Sequence, residues 1–319
     1  MEGAVLAVTR IGDATADFVL SALYKRDVSV VRLDPGADFP GSLLLSANFG
    51  DTGLSGQLST PTRELDLQGV RSVYWRKPTP YLPNIGAADV NEWWTAEQTR
   101  FGLGGVLATL PGAAYVNHPW RNRDAEVKLT QLAVAAECGF AVPPTVITNS
   151  LDSARSFAEE LGPVVYKPVA APPYWNEEHV PLAVWTGEVD PQELDERVNA
   201  AAHLFQWRVD KIADLRITVV GRHVFTVRID SGLLDWRTDY DQHRYTPVEC
   251  PAGLAEALHS YMRRFGLVFA AFDFALDRQE RAWFLEANTN GQWAFLDTAT
   301  VENVTHALAD ELQTPRESV

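Results

Sequence analysis

The sequence predicts a mixed α/β (α+β) protein built from three consecutive parts. Apolar runs rich in β-branched residues alternate with helical segments in the first third of the chain, which is typical of an α/β domain. Two pairs of apolar runs in the last third are separated by short turns, at residues 221–223 and 277–281, and therefore predict β-hairpins. We place the three parts at residues 1–118, 119–204 and 205–319.

Each part has its own order of predicted elements. In the first part, strands at residues 4–9, 27–33 and 69–75 alternate with helices at 14–24 and 90–110. In the second, a helix at 124–138 precedes strands at 145–148 and 164–167, a loop at 171–179 rich in proline and aromatics, and a helix at 191–203. The third contains hairpin strands at 215–220 and 224–229, a helix at 254–265, and hairpin strands at 267–276 and 282–288.

Composition excludes several classes of protein. The 319 residues are 46% hydrophobic and carry a formal net charge of −15, which disfavours nucleic acid as a partner. No apolar run approaches the roughly 20 residues that span a bilayer, and the start lacks the zones of a signal peptide. Two cysteines make a disulfide framework or a thiolate zinc site improbable. We therefore expect a cytoplasmic protein without membrane contact.

The hairpin at residues 267–288 carries the strongest local signal for chemistry. Strand alternation puts Phe284, Glu286 and Asn288 on one face, and Asp273 on the partner strand can reach that face. A carboxylate in the middle of an apolar strand is expensive to bury unless something compensates it. Asp273, Glu286 and Asn288 then offer oxygen ligands suited to magnesium. The alternative is a capped strand end, with the acids facing solvent or satisfied by backbone amides.

Cations at strand ends and on sheet faces suggest phosphate binding, each with a simpler alternative. Lys167 ends an apolar strand and points into a loop, as a phosphate-binding lysine would, although exposed strand-end lysines are common. Lys128 alone is indistinguishable from a solvated helix residue. Arg216 and Arg228 alternate with apolar residues on paired strands, so they line a cleft or form surface ion pairs worth little.

Taken in order, these residues resemble the ATP-grasp fold, and more closely the graspetide or microviridin-type synthetases, which are ATP-grasp maturases of ribosomally made peptides. The resemblance covers nearly the whole chain. It rests on Lys128, Tyr166-Lys167-Pro168, Asp214-Leu215-Arg216, Val227-Arg228-Ile229-Asp230, Phe272-Asp273-Phe274 and Glu286-Ala287-Asn288-Thr289-Asn290-Gly291. Supporting segments include Tyr74-Trp75-Arg76-Lys77-Pro78 and Asp235-Trp236-Arg237.

The resemblance implies an N-terminal pre-ATP-grasp domain and ATP held between two mainly antiparallel sheets. It implies the following roles: phosphate contacts from Lys128 and Lys167, an adenine hinge formed by backbone groups of Gln206, Trp207 and Val209, and a ribose contact from Asp214. By the same likeness, Arg216 and Arg228 would stabilise charge on the γ-phosphate and the acyl phosphate. Asp273, Glu286 and Asn288 match the metal ligands, with two Mg²⁺ ions expected. Trp236 and Arg237 fall where the substrate peptide is expected.

By the same likeness, the expected activity is macrocyclisation. ATP would activate Asp or Glu side chains of a precursor peptide (leader plus core), and Ser, Thr or Lys side chains would attack to give ω-esters or ω-amides. Relatives also suggest a homodimer. One alternative is a ligase that adds a free amino acid to a peptide or small acid, similar to the ribosomal-protein glutamate ligases. Another is a non-catalytic peptide- or nucleotide-binding protein that kept the fold.

Overall fold

The structure is a computed structural model, and it describes residues 3–81, 89–170, 174–175, 181–182, 184–240 and 243–315. The predicted loop at residues 171–179 falls mostly outside the described residues. Of that region, only the backbone pairing of Tyr174–Trp175 with Pro181–Leu182 is described. Within the described parts of the chain, no helix combines the length and the apolar character required to cross a bilayer.

The N-terminal part is an α/β layer with a second, antiparallel sheet. Its strands are β1 (Ala4–Val8), β2 (Val30–Leu33), β3 (Leu44–Gly50), β4 (Gly53–Thr60), β5 (Arg63–Asp66), β6 (Val70–Trp75) and β7 (Ala114–Val116). Its helices are α1 (Ala14–Tyr24), α2 (Pro35–Asp38) and α3 (Val90–Leu107). The parallel sheet has the order β2-β1-β6-β7, as the predicted alternation requires. The sheet β3-β4-β5 was not predicted.

The central part holds a four-stranded antiparallel sheet in the order β12-β9-β13-β8. Its elements are α4 (Pro119–Ala125), α5 (Lys128–Glu137), β8 (Thr145–Thr148), α6 (Leu151–Leu161), β9 (Val164–Lys167), β10 (Tyr174–Trp175), β11 (Pro181–Leu182), β12 (Gly187–Val189) and β13 (His203–Trp207). The prediction of a helix at residues 191–203 is wrong. That stretch contains only a 3-10 turn at Glu196–Ala200, and β13 begins at His203.

The C-terminal part is built on a five-stranded antiparallel sheet in the order β16-β15-β14-β17-β18. Its elements are β14 (Lys211–Val220), β15 (His223–Asp230), β16 (Arg244–Val248), α7 (Leu254–Phe265), β17 (Phe269–Asp277), β18 (Ala282–Asn288) and α8 (Thr298–Gln313). Both predicted hairpins are present, as β14–β15 and β17–β18. Gly266 ends α7 in the left-handed conformation, which glycine adopts without steric cost.

The predicted boundary between residues 204 and 205 cuts through β13 and is wrong in that detail. Strand β13 pairs with β8 and β9, so it belongs to the central sheet, and the C-terminal sheet begins only at Lys211. Strand periodicity could not reveal this, because β13 and β14 are neighbours in sequence and lie in different sheets.

Two cores cover the two faces of the C-terminal sheet. On one face, Phe272, Phe274 and Phe284 pack with Tyr261 of α7 and Phe140. The other face packs against α8 and, through it, against α1 of the N-terminal part. This second face also carries Arg216 and Asp273, two of the polar residues described next.

Candidate active site

The three predicted metal residues lie together on neighbouring strands. Strands β17 and β18 pair Asp273 with Glu286 and Ala271 with Asn288. The Nδ2 atom of Asn288 donates to Oδ2 of Asp273 and to Oε1 of Glu286, at 3.2 Å in each case. One side chain therefore touches both acids.

The face on which Glu286 lies is set by a bulge that the sequence did not reveal. The register shifts between Asp273–Glu286 and Phe274–Phe284, so Leu285 is an extra residue on β18. As a result Phe284 turns into the aromatic core, together with Ala287, while Glu286 and Asn288 stay on the opposite face. The prediction that Phe284 shares a face with Glu286 is wrong for this reason.

Each acid is paired with an arginine. Arg216, on β14 opposite Asp273, donates from Nη1 to Oδ2 of Asp273 at 2.8 Å. Arg237 donates to Glu286 and is held in turn by Asp235, whose carboxylate accepts from Nε at 2.8 Å and from Nη2 at 2.7 Å. Arg237, expected to meet a peptide, thus contacts Glu286, one of the predicted metal residues.

The protonation of the two acids is shifted in opposite directions. Complete burial raises the pKa of Asp273 against the opposing charge of Arg216. Burial would also raise the pKa of Glu286, but the positive charges of Arg237, Lys128 and Lys167 outweigh it and lower that pKa. Glu286 is therefore held ionised, as a metal ligand must be.

The donor set fits a magnesium ion. The Oδ1 atom of Asp273 is buried and, among the described residues, has no hydrogen-bond partner, which an ion would supply. Two carboxylates and an amide are hard oxygen donors of the kind Mg²⁺ prefers, and turning the Asn288 amide would present its oxygen. No cluster of three or more His, Cys, Asp or Glu suited to a metal occurs among the described residues, so the amide is needed to complete the set.

Two lysines lie beside these acids. The Nζ atom of Lys167 donates to Oε1 of Gln206 at 2.7 Å, and Nζ of Lys128 donates to the carbonyl of Pro168 at 2.8 Å. Lys128 Nζ also lies 3.8 Å from Oε2 of Glu286, so it faces the site and is not a solvated helix residue. Burial lowers the pKa of Lys167 to about 8, against the opposing pull of Glu286, and also lowers the pKa of Lys128.

A cavity of about 500 Å³ opens between the central and C-terminal sheets. Eleven predicted residues line it: Lys128, Lys167, Gln206, Trp207, Val209, Asp214, Trp236, Arg237, Asp273, Glu286 and Asn288. The amides of Trp207 and Arg208 already donate to the carbonyls of Pro144 and Pro163. Contacts from the predicted hinge to a base would therefore use its other backbone groups.

Lys211 is a lining residue that sequence reasoning missed. Its Nζ atom lies 2.8 and 2.6 Å from the two carboxylate oxygens of Asp214 and 2.9 Å from the carbonyl of Leu234. Burial raises the pKa of Asp214 to about 6, although Lys211 opposes this. The spacing of three residues on a strand gave no signal, because an irregular register after Lys211 brings the two side chains together.

A second cavity, of about 420 Å³, adjoins the first. The two share a wall formed by Lys128, Ala170, Trp236, Arg237, Glu286 and Asn288. Arg216 lines the second cavity only, and Lys77 of the N-terminal part lies at its edge. Burial and the nearby Arg76 lower the pKa of Lys77 to about 8. Lys77 belongs to the segment Tyr74-Trp75-Arg76-Lys77-Pro78, and no role was predicted for it.

Arg228 does not lie in this site, and its predicted place there is wrong. Strands β14 and β15 pair Leu215 with Arg228, and Arg216 with Val227. Directly paired residues share a face, so Arg228 projects on the face opposite to Arg216. There its Nε atom donates to Oδ1 of Asp230 at 2.7 Å, and Arg228 lines neither cavity.

Comparison with known proteins supports the predicted pre-ATP-grasp domain and the predicted ATP-grasp fold. Residues 4–123 match the family model of the MvdD pre-ATP grasp domain. A RiPP-associated ATP-grasp ligase from Chryseobacterium gregarium, solved with ADP and a leader and core peptide, is 26% identical with a TM-score of 0.87, over 99% of this chain and 98% of that one. No curated protein matches the chain.

Two macrocyclases from Microcystis aeruginosa MRC are similarly related in structure. MdnB is 27% identical with a TM-score of 0.77, over 97% of this chain and 99% of that one. MdnC, bound to the precursor peptide MdnA, is 24% identical with a TM-score of 0.87, over 98% and 99%. In its N-terminal domain and over its whole length, this chain is therefore similar to the ATP-grasp ligases and macrocyclases that act in the maturation of ribosomal peptides.

Proposed function

We propose that the protein uses ATP and Mg²⁺ to join an Asp or Glu side chain of a ribosomally made precursor peptide to a Ser, Thr or Lys side chain of the same peptide. One observation carries this proposal: two cavities share a wall that contains two of the three metal residues, Glu286 and Asn288. A nucleotide in one cavity and a carboxylate in the other would meet at that wall. The likeness to a ligase solved with ADP, leader and core supports the assignment.

The larger cavity takes ATP in this proposal. The segment from Gln206 to Val209, with Trp207, receives the adenine, and Asp214 receives the ribose. Lys128 and Lys167 hold the phosphates, because both ammonium groups lie near Glu286 and line the cavity. Asp273, Glu286 and Asn288 hold Mg²⁺, two ions in the full complex. When bound, the metal supplies positive charge to the phosphate oxygens.

The smaller cavity takes the acidic side chain that becomes activated. Lys77, Lys128, Arg216 and Arg237 give it four cations, against the acids Glu126 and Glu286. The indole of Trp236, beneath Arg216 at 5.9 Å from the guanidinium carbon to the ring centre, forms part of its wall. A carboxylate is recognised by such fixed guanidinium groups, which also lower the repulsion it meets on approaching a triphosphate.

The reaction then proceeds in two displacements. An oxygen of the peptide carboxylate attacks the γ-phosphorus, the bond to the β–γ bridging oxygen breaks, and ADP leaves with that electron pair. A hydroxyl or amine of the peptide attacks the carbonyl carbon of the acyl phosphate, loses its proton, and phosphate leaves. The peptide loses one water for each ATP consumed. The chain's part is to position the groups and to neutralise charge, with Lys167 acting from the larger cavity and Arg216 from the smaller one.

The three predicted parts have distinct tasks in this proposal. The N-terminal part, residues 1–118, supplies one side of the smaller cavity through Lys77. The central part carries both phosphate-binding lysines, and the C-terminal part carries the metal residues. The net charge of −15 supports a peptide and not nucleic acid as the macromolecular partner.

Mass spectrometry of a candidate precursor tests the proposal. With enzyme, ATP and Mg²⁺, the peptide should lose one water mass per cross-link while an equal amount of ADP forms. A gain of an amino-acid mass would instead indicate a ligase of the glutamate-adding kind. Nucleotide binding with no ADP formed in the presence of leader and core peptides would indicate a non-catalytic binding protein.

A further inference from the structure

Arg76, in the N-terminal part, is a fully buried arginine that sits directly after β6. Only 1% of its surface is exposed, and its Nε atom lies 3.0 Å from Oδ2 of the equally buried Asp13. Oδ1 of Asp13 accepts from the amides of Thr15 and Ala16 and so caps helix α1. The ion pair thereby fixes Arg76 to the framework of its own domain.

The two terminal nitrogens of the Arg76 guanidinium donate hydrogen bonds to the C-terminal part. Its Nη2 atom donates to Oε1 of Gln292 at 2.7 Å, and Nη1 donates to the carbonyl of Gly291 at 3.2 Å. The hydroxyl of Thr15 donates to the same Oε1 of Gln292 at 2.5 Å. The turn at residues 290–292 follows strand β18 after Thr289. These hydrogen bonds attach it to the N-terminal domain.

The turn at residues 290–292 also holds Arg216. The carbonyl of Gln292 accepts from Nη2 of Arg216 at 2.8 Å, while Nη1 of Arg216 binds Asp273 at 2.8 Å. A side chain at Gly291 could not fit, because its Cβ would lie 2.7 Å from Nη2 of Arg216 and 2.4 Å from Cβ of Ala271. The turn is thus packed tightly against the guanidinium that sets the Asp273 carboxylate.

A continuous chain of contacts results, from Asp13 through Arg76, Gln292 and Arg216 to Asp273. Asp13, Arg76, Arg216 and Asp273 are each at most 4% exposed. Charged groups buried in this way are costly unless their geometry and hydrogen bonds compensate them. If the Asp13–Arg76 ion pair only joined two domains, it would not have to be linked to a carboxylate of the cleft.

We propose that Arg76 is a positioning residue: by holding the 290–292 turn, it sets Arg216 and through it the orientation of the metal ligand Asp273. The inference rests on the proposed function, since it assumes Mg²⁺ at Asp273. It assigns the N-terminal domain a part in metal binding, in addition to its side of the peptide cavity. Groups that orient metal ligands typically change metal affinity by about 10–100-fold when they are removed.

The test measures the Mg²⁺ requirement of ADP binding by calorimetry on the full-length protein, without peptide. We expect Arg76→Met and Gln292→Met to raise the Mg²⁺ concentration needed for half-maximal ADP binding by about tenfold or more. Gln292→Met leaves the Asp13–Arg76 ion pair in place. If Arg76→Met fails to fold, Gln292→Met alone therefore provides the test. Because both act through one contact, the double variant should be little worse than the single variants.

Ser72→Ala is the matched control. Ser72 lies on β6, the strand that ends just before Arg76, and it is fully buried. Its hydroxyl also bonds to the C-terminal part, donating to the carbonyl of Leu312 on α8 at 2.7 Å. This substitution should lower the melting temperature without changing the Mg²⁺ requirement. An unchanged Mg²⁺ requirement in Gln292→Met, or an equal change in Ser72→Ala, would overturn the role of Arg76. Failure of the wild-type protein to bind ADP with Mg²⁺ would overturn the proposed function itself, and the positioning role with it.

Discussion

The guanidinium of Arg216 lies 2.8 Å from the carboxylate of Asp273, and both side chains are almost completely buried. Removing one member of such a pair leaves an uncompensated buried charge, at a cost of about 3–5 kcal/mol. Tests of the site should therefore keep the shape of each side chain and change only its charge or its ligand atoms.

Asp273→Asn and Glu286→Gln should each lower the rate of ATP-dependent cross-linking by at least about 100-fold. The reason is that each change replaces a charged metal ligand by a neutral amide in the same position. Rates of ADP release and cross-linked peptide, at saturating Mg²⁺, measure the effect. Glu137→Gln, on the exposed end of α5, changes the same charge away from both cavities and should leave the rate unaltered. A cross-linking rate near that of wild type in either site variant would remove the metal assignment.

Arg216 and Arg228 form a second matched pair, since they lie on paired strands but on opposite faces. Arg216→Lys should lower kcat by at least about 100-fold, because lysine carries all its donors on one nitrogen and lacks the planar fork with which Nη1 reaches Asp273 and Nη2 reaches the carbonyl of Gln292. Arg228→Lys should change kcat by less than about twofold, and stability by under 1 kcal/mol, as for other partly exposed ion pairs. A large loss of kcat in Arg228→Lys would show that the strand register assigned here is not that of the working enzyme.

Nucleotide affinity should fall as the pH rises through about 8. Burial lowers the pKa of Lys167 to that value, so the charge that attracts phosphate is present below it and is lost above it. Loss of one proton-linked contact weakens binding by at most about tenfold per pH unit. Lys167→Arg, which stays charged, should flatten this part of the profile when ADP affinity is measured between pH 7 and about 9.5. An identical profile in the variant would assign the titration to another group.

Lys77→Met should raise KM for the peptide several-fold while ADP binding with Mg²⁺ is preserved. Lys77 lies at the edge of the smaller cavity and does not line the larger one. Initial rates at varied peptide concentration, together with calorimetry of ADP, separate the two effects. Weaker ADP binding with an unchanged KM for the peptide would show that the smaller cavity binds the nucleotide, contrary to the roles proposed for the two cavities.

The sequence predicted that Asp273, Glu286 and Asn288 lie together, because the pairing of a hairpin is local. Asp273, Glu286 and Asn288 are brought together by the pairing of two adjacent strands, and the short turn between those strands fixes it. The parallel sheet of the N-terminal part follows equally from alternating strands and helices. These features depend on residues that are near one another in the chain.

What the sequence could not supply depends on registers and partners distant in the chain. Arg228 was misplaced because its face is decided by which residue of β14 it pairs with. The contact of Lys211 with Asp214 depends on the irregular register of β14 against β17, and the contact of Arg76 with Gln292 joins residues 216 positions apart. Sheet β3-β4-β5 was missed because β3 and β4 mix polar residues and glycines with their leucines, and β5 has only four residues, so neither period stands out.

The extra residue Leu285 lets Phe284 and Glu286, which are two positions apart, face opposite sides of the sheet. A regular strand would put both on one face, whereas the bulge places Phe284 in the aromatic core and Glu286 in the cleft. Deleting Leu285 would make Phe284 and Glu286 adjacent, and adjacent residues of a regular strand also face opposite sides, so both orientations survive this deletion. Deleting Ala287 would instead turn Glu286 and Asn288 to opposite faces. Anyone redesigning the enzyme for another peptide can therefore change the length of β18 at Leu285 but should keep the spacing from Glu286 to Asn288.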